Sequence, residues 1–203
     1  RSHILELESR VKPEDAACMI FTSGTTSLPK GILLSHEQLI NNSRAMVEAM
    51  HWGASDKMCI TVPLFHCFGI TAGVIACITG GMDMCLIPYF RTAHVWDAIE
   101  KYECTILNGV PSMFLALIRK PQYAQRKAPK LKSGIIAGSP CTPEDFLEIC
   151  RRFPHMHLQP SYGQTETSPC IAIADWDDPN EVKAVSAGHV IGHVETRIMD
   201  LDS

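Results

Sequence analysis

Ser133-Gly134-Ile135-Ile136-Ala137-Gly138-Ser139-Pro140-Cys141-Thr142-Pro143-Glu144-Asp145 carries, in one short stretch, the pattern that sets the fold class. Ser133 to Ala137 reads as a strand, and Gly138-Ser139-Pro140 as the turn that ends it. Thr142 is a helix N-cap, followed by proline at the first helical position and two acids on the positive end of the helix dipole. That helix carries Phe146, Leu147, Cys150 and Phe153 as its apolar stripe, and His157 to Tyr162 reads as the next strand. Strand, turn, capped helix and strand make the repeating unit of a parallel sheet.

The same alternation extends upstream. Ala17 to Phe21 reads as a strand that runs into a Ser/Thr/Gly loop. Ser35-His36-Glu37-Gln38 is a capping box, and the helix behind it buries Leu39, Ser43, Met46, Val47 and Met50 at helical spacing. Met58 to Val62 and Asp83 to Ile87 read as strands. Thr92 opens a helix with Val95, Trp96, Ile99 and Tyr102 on one face. Thr105 to Asn108 is a further strand, and Pro111 suits a first helical turn. Lys120 to Lys132, rich in Lys, Arg, Pro and Gln, reads as a surface loop. Together these predict an α/β fold with a doubly wound, mostly parallel sheet and flanking helices. In such sheets ligands bind beyond the carboxyl ends of the strands. The chemistry is therefore expected at Thr22–Gly31, Pro63–Gly69, Gly138–Pro140 and Tyr162–Glu166.

Composition narrows the function classes. The 203 residues carry 18 Lys+Arg against 22 Asp+Glu, a formal charge of −4, with 46% hydrophobic and 20% charged residues. Such a chain buries enough apolar surface to fold. It has no block of Lys and Arg, so it lacks the electrostatic footprint of a nucleic-acid or anionic-membrane binder. The nine cysteines are odd in number and contain no Cys-x-x-Cys pair, which fits neither a disulfide framework nor a zinc ribbon. A reducing, cytoplasmic compartment is expected, and an organelle is compatible. Met58 to Met82 contains no Asp, Glu, Lys or Arg, and is long enough to cross a bilayer. Pro63, Gly69, Gly73, Gly80 and Gly81 break it, so the reading is a buried strand, a functional loop and a buried helix, with no membrane span. No signal or transit peptide is visible, and both ends, at Arg1 and in the strand-like Ile198 to Ser203, read as cut.

Thr22-Ser23-Gly24-Thr25-Thr26-Ser27-Leu28-Pro29-Lys30-Gly31 is the densest motif. Hydroxyls, a flexible glycine and a lysine after a strand offer many donors to phosphate oxygens. It is not a Walker A sequence, since Pro29 and Gly31 break that pattern. Tyr162-Gly163-Gln164-Thr165-Glu166 sets a carboxylate beside a hydroxyl at a strand end, a donor set suited to a hard cation and a phosphate. Small residues at Ala137-Gly138-Ser139-Pro140 allow a flat base to approach the main chain. In Pro63-Leu64-Phe65-His66-Cys67-Phe68-Gly69, a neutral imidazole is able to donate to a carboxylate or phosphate oxygen. A Cys–His nucleophilic pair is disfavoured there, because adjacent residues of a strand-like loop point apart. His155 and His157 are expected on one strand face, and His189 and His193 have helix-face spacing. Neither pair has the third ligand that zinc needs.

These motifs, in this order, resemble the acyl-adenylate-forming enzymes: acyl- and aryl-CoA synthetases, luciferases and peptide-synthetase adenylation domains. The first matches the family's T-S-G-T-[ST]-G-x-P-K-G except at Ser27, where glycine is usual. The resemblance runs from about Ala17 to Asp200 and implies the central portion of the family's AMP-binding large domain. On that reading residues 17–166 form the nucleotide-binding core, and 167–203 begin a further β-rich segment. The resemblance implies ATP held by Thr22, Ser23, Gly24, Thr25, Thr26 and Lys30 at the phosphates. It implies an adenine site at Gly138, Ser139, Pro140, Ser161, Tyr162, Gly163 and Gln164, with Thr165 on the α-phosphate. Glu166 is then the Mg²⁺ ligand, and His66 lines the acyl and α-phosphate region. The implied parent reaction is activation of a carboxylic acid, a fatty acid by preference, to an acyl-adenylate and then to a CoA thioester. The family's downstream ribose-binding aspartate and C-terminal lysine lie outside these residues, so the isolated stretch is expected to be inactive. Two rivals remain, an amino-acid-activating peptide-synthetase domain and a non-catalytic nucleotide-binding fragment. The first usually carries an aspartate in the His66 region, and none lies between Pro63 and Gly80.

Overall fold

The structure, a computed structural model, describes residues 2–23 and 28–200. Strands β1 (Ala16–Thr22) and β2 (Lys30–Ser35) pair as an antiparallel hairpin. Strands β3 (Lys57–Ile60), β4 (Asp83–Leu86), β5 (Ile106–Asn108), β6 (Ser133–Ile136), β7 (His157–Gly163), β8 (Cys170–Ile173) and β9 (His189–Val190) form one sheet in the order β4-β3-β5-β6-β7-β8-β9. The first five of that order run parallel, while β8 and β9 extend it antiparallel. The helices are α1 (Ser2–Glu8), α2 (His36–Ala49), α3 (Cys67–Gly69), α4 (Ala76–Gly80), α5 (Thr92–Tyr102), α6 (Pro111–Ile118), α7 (Pro143–Arg152) and α8 (Asn180–Lys183).

Period-two alternation in the central strands builds two cores. Cys59, Leu107, Ile136 and Leu158 face α5, α6 and α7, where Trp96, Phe114, Phe146 and Ile149 are buried. Met58, Ile60, Ile106 and Ile135 face α2 and the segment around α4, with Met46, Met50 and Trp52. Apolar residues on both sides are what a parallel sheet covered by helices on both faces demands. The sheet is therefore the doubly wound α/β arrangement that the alternation predicts. Both anticipated caps form. Gln38 N–H donates to Ser35 Oγ at 3.1 Å and Ser35 N–H to Gln38 Oε1 at 2.9 Å. Asp145 N–H donates to Thr142 Oγ1 at 3.2 Å.

Several local expectations are corrected. β1 does not join the parallel sheet; its partner is β2, whose short Ile32-Leu33-Leu34 run the helical reading passed over. The hairpin buries Ile20 and Leu34 against Leu39 of α2 and Cys67, forming a third small core. On α2 Asn42 joins the buried stripe and Val47 is only half-buried; on α7 Ile149 is buried where Leu147 is half-buried. Tyr102 at the end of α5 is exposed. Lys120–Lys132 is not simply surface, because Tyr123 and Leu131 enter the core. His155 precedes β7 in a turn, and His189 lies in β9 with His193 in a turn, so neither pair shares an element face.

The segment after β3 also differs from a loop followed by an ordinary helix. α3 begins already at Cys67, and Ile70–Ile75 is π-helical before α4 resumes. A π turn leaves its carbonyls in altered positions and often marks a functional site. Asn108 Nδ2 donates to Ala72 O in that turn at 3.0 Å, and its Oδ1 accepts from Ile135 N–H at 2.9 Å. One buried amide thus ties the π turn to β5 and β6.

Candidate active site

Three of the anticipated loops converge beyond the carboxyl ends of β3, β6 and β7. A cavity of about 180 Å³ brings His66, Gly138, Ser161, Gly163, Gln164 and Thr165 together, over an apolar floor that includes Met46, Phe68, Ala72 and Ile135. A wider hollow of about 610 Å³ is lined by Ser139, Pro140 and Tyr162 together with Lys183–Ala187. Gly138, Ser161 and Gly163 line both spaces, so they are neighbours across a shared wall. The small rim residues are dictated by geometry. Gly138 sits at φ +86°, which favours glycine, and a Cβ on Gly163 would lie 1.8 Å from Pro169 O.

His66 is the N-cap of α3, and its Nδ1 accepts from Phe68 N–H at 3.1 Å. Nδ1 must therefore be unprotonated, which puts the proton of the neutral ring on Nε2. Burial pushes the imidazole below the usual histidine range and favours that neutral form. Cys67 Sγ approaches His66 Nδ1 at 3.7 Å, so the two side chains do not point apart as expected. They still form no nucleophilic pair: Cys67 is buried, and burial raises its thiol above the ordinary value. Its other neighbour is Thr165 Oγ1 at 3.6 Å, which links the His66 loop to the Tyr162–Glu166 segment.

That segment is held from below. Thr165–Thr167 forms a 3₁₀ turn, with Thr167 Oγ1 donating toward Gln164 O and Pro169 O, each at 2.9 Å. Asn42, reaching up from α2, donates to Thr167 O at 3.1 Å and Cys170 O at 2.7 Å, and accepts from Cys170 N–H at 3.1 Å. The sequence reading missed this residue; the available signal was a polar side chain inside an apolar helical stripe. Thr165 is buried at 9% exposure, whereas Glu166 and Tyr162 face solvent. Ser161 Oγ donates to Ala172 O at 2.9 Å and lies 3.3 Å from Cys170 Sγ.

The hydroxyl-rich motif lies between β1 and β2 of the hairpin and does not connect a strand of the main sheet directly to a helix. Thr22 and Lys30 are the last pair of the hairpin, next to the segment that joins its strands, and β2 packs beside the Thr165–Thr167 turn. Thr22, Ser23 and Lys30 are described, with Lys30 exposed; Gly24, Thr25, Thr26 and Ser27 lie outside the described residues. Among the described residues no group of three or more His, Cys, Asp or Glu side chains could hold a metal by itself. A lone exposed carboxylate such as Glu166 nevertheless fits Mg²⁺, which is usually held by one or two carboxylates together with substrate phosphates. Among the described residues no helix is long and apolar enough to cross a membrane.

Comparison with known proteins agrees with this arrangement. The acyl-CoA ligase sidI of Beauveria bassiana is 36% identical over 206 residues, covering 100% of this chain and 36% of its own length. The human mitochondrial medium-chain acyl-CoA ligase ACSF2 is 35% identical over 188 residues, covering 90% of this chain and 31% of its own. The chain thus spans about a third of the length of these relatives. Among solved structures, o-succinylbenzoate CoA synthetase from Bacillus subtilis in complex with its acyl-adenylate intermediate matches with TM-score 0.79 at 25% identity. That match covers 90% of this chain and 36% of the synthetase. The family model described as AMP-binding enzyme matches residues 3–203, nearly every residue of the sequence. On these grounds the chain belongs to the AMP-binding enzyme family.

Proposed function

We propose that the protein carrying this chain activates a carboxylic acid with ATP and transfers the acyl group to coenzyme A. The observation that carries this reading is the cavity lined both by His66, Gln164 and Thr165 and by the apolar Met46, Phe68, Ala72 and Ile135. A carboxylate with an apolar tail needs both kinds of lining. In the first step a carboxylate oxygen attacks the α-phosphorus of ATP, the α–β phosphoanhydride bond breaks, and pyrophosphate leaves. In the second, the CoA thiol attacks the acyl carbon, AMP leaves with the former carboxylate oxygen, and the thiol proton goes to solvent.

This chain's residues contribute by position and charge. His66 Nε2–H is aimed to donate to the acyl carboxylate or the α-phosphate, and Thr165 places its hydroxyl on the same phosphate. Lys30, with Thr22, Ser23, Gly24, Thr25 and Thr26, holds the outer phosphates. Tyr162 and the Gly138–Pro140 backbone take the adenine, beside Ser161 and Gly163. Glu166 holds Mg²⁺, whose chemistry is to offset charge on the phosphates when it is bound. Residues 17–166 act as the nucleotide-binding core, and a reducing compartment, cytoplasmic or organellar, suits the nine thiols.

The alternative of amino-acid activation is disfavoured because no carboxylate lines the cavity to meet an α-ammonium group. Acid-dependent pyrophosphate release by the full-length enzyme, with straight-chain acids set beside amino acids, tests the reading. Release with monocarboxylates and not with amino acids is the expected result. Release with amino acids alone, or with no acid at all, overturns it.

A further inference from the structure

We propose that Met46 sets the length of the acyl group accepted, so that an unbranched tail of at most about six heavy atoms, at ~30 Å³ per buried heavy atom, fits the cavity before Met46 must move. The inference rests on the proposed acid-activating function and deepens it, because it assigns a substrate size to the same cavity.

The cavity measures about 180 Å³, and its lining combines the polar His66, Ser161, Gln164 and Thr165 with the apolar Met46, Phe68, Ala72 and Ile135. Asn42 anchors the Thr167–Cys170 segment beside Gln164 and Thr165. Met46 lies one helical turn further along α2, is 1% exposed, and lines the same space. It is therefore the α2 side chain displaced one turn from the polar rim toward the core. The flanking walls resist spreading, because Asn108 ties Ala72 O and Ile135 N–H together, and both of those residues line the cavity. Met46 shares its core with Met50 and Met58, each fully buried.

Rigid walls and a methionine floor have a definite consequence. Methionine has three rotatable bonds and repacks where branched side chains do not. A tail longer than the resting cavity must drive Met46 against Met50 and Met58, so activity declines gradually with length. No charged group among the lining residues would meet a second carboxylate or an amine on the tail. The favoured substrate class is thus a short to medium, unsubstituted monocarboxylate.

The test is the kcat/KM of pyrophosphate release by the full-length enzyme for straight-chain acids from acetate to palmitate, in wild type, Met46→Ala, Met46→Phe and Met46→Leu. The wild-type profile should peak at hexanoate or its neighbours and fall at least about tenfold by dodecanoate. Met46→Ala should move the peak to longer acids, Met46→Phe to shorter ones, and Met46→Leu should leave it in place. If Met46→Ala does not fold, the Met46→Phe profile decides, since its shift runs in the opposite direction to any general loosening. Superimposable profiles in folded variants, or a wild-type peak at palmitate, overturn the inference and leave the acid-activating reading standing. Absence of release with every carboxylic acid overturns that reading, and this inference with it.

Discussion

His66 answers two demands with one ring. Its Nδ1 lone pair caps α3 through Phe68 N–H, and its Nε2–H remains for a ligand oxygen. The cap needs the neutral form, which burial favours by holding the group below the ordinary value of 6.5. A histidine lowered in this way contributes stability that is fully present above 6.5. That contribution is lost as pH falls through the depressed folded value, because the unfolded chain takes up protons first. Adenylation is therefore expected to show an acid limb below pH 6.5, where protonated Nδ1 no longer accepts from Phe68. His66→Asn should keep the cap and a donor while abolishing that limb, and His66→Ala should cost roughly 10–100-fold in kcat/KM. A pH–rate profile of the three proteins checks this. An unchanged acid limb in His66→Asn assigns it to another group.

Glu166 is the second residue on which the proposed function makes a definite prediction. Replacement by Gln keeps size and hydrogen bonding and removes the charge proposed to hold Mg²⁺. Glu166→Gln should lose adenylation and require more magnesium, while thioester formation from supplied acyl-adenylate suffers less, since pyrophosphate has already left. A residue that serves only the turn predicts equal loss in both half-reactions, with no magnesium dependence. Measuring both half-reactions across a magnesium titration separates the two.

At the scale of elements, the site is a loop cluster held by buried amides. Asn42 secures the turn that carries Thr165 and Glu166, and Asn108 secures the π turn behind His66. Asn42→Ala leaves Thr167 O, Cys170 O and Cys170 N–H without their partner, at a cost of about 1–3 kcal/mol. Unfolding by denaturant should show that loss. If Asn42 also positions the turn, the folded variant should need more magnesium for adenylation, as Glu166→Gln does. Normal kinetics with lowered stability would make Asn42 purely structural. Neither amide stood out in the sequence for a physical reason: a polar residue within an apolar stripe reads the same whether it faces a partner or a void. The βα units were legible because strand, turn, N-cap and stripe are local in the chain, as in Ser133–Phe153. The hairpin was not, because pairing of Ile20 with Ile32 is a choice of partner that β1 alone does not reveal. The π turn escaped for a related reason, since its register depends on Asn108, far along the chain.

At the scale of the whole molecule, the site motifs were legible from residue type and order, and the sheet explains their meeting. Parallel strands β3, β6 and β7 send His66, Gly138 and Thr165 off the same edge, and β2 of the hairpin packs beside the Thr165–Thr167 turn. What the sequence could not convey was the split into two spaces sharing Gly138, Ser161 and Gly163, because a wall exists only once three strands are adjacent. This arrangement fits a reaction in which a carboxylate from the apolar side meets a nucleotide from the other. The most direct test follows the carboxylate oxygen. With acid labelled by ¹⁸O in both carboxylate oxygens, ATP and CoA, the full-length enzyme should place one labelled oxygen in AMP and none in pyrophosphate. Label in inorganic phosphate with release of ADP would mean attack at the γ-phosphorus and would contradict the account.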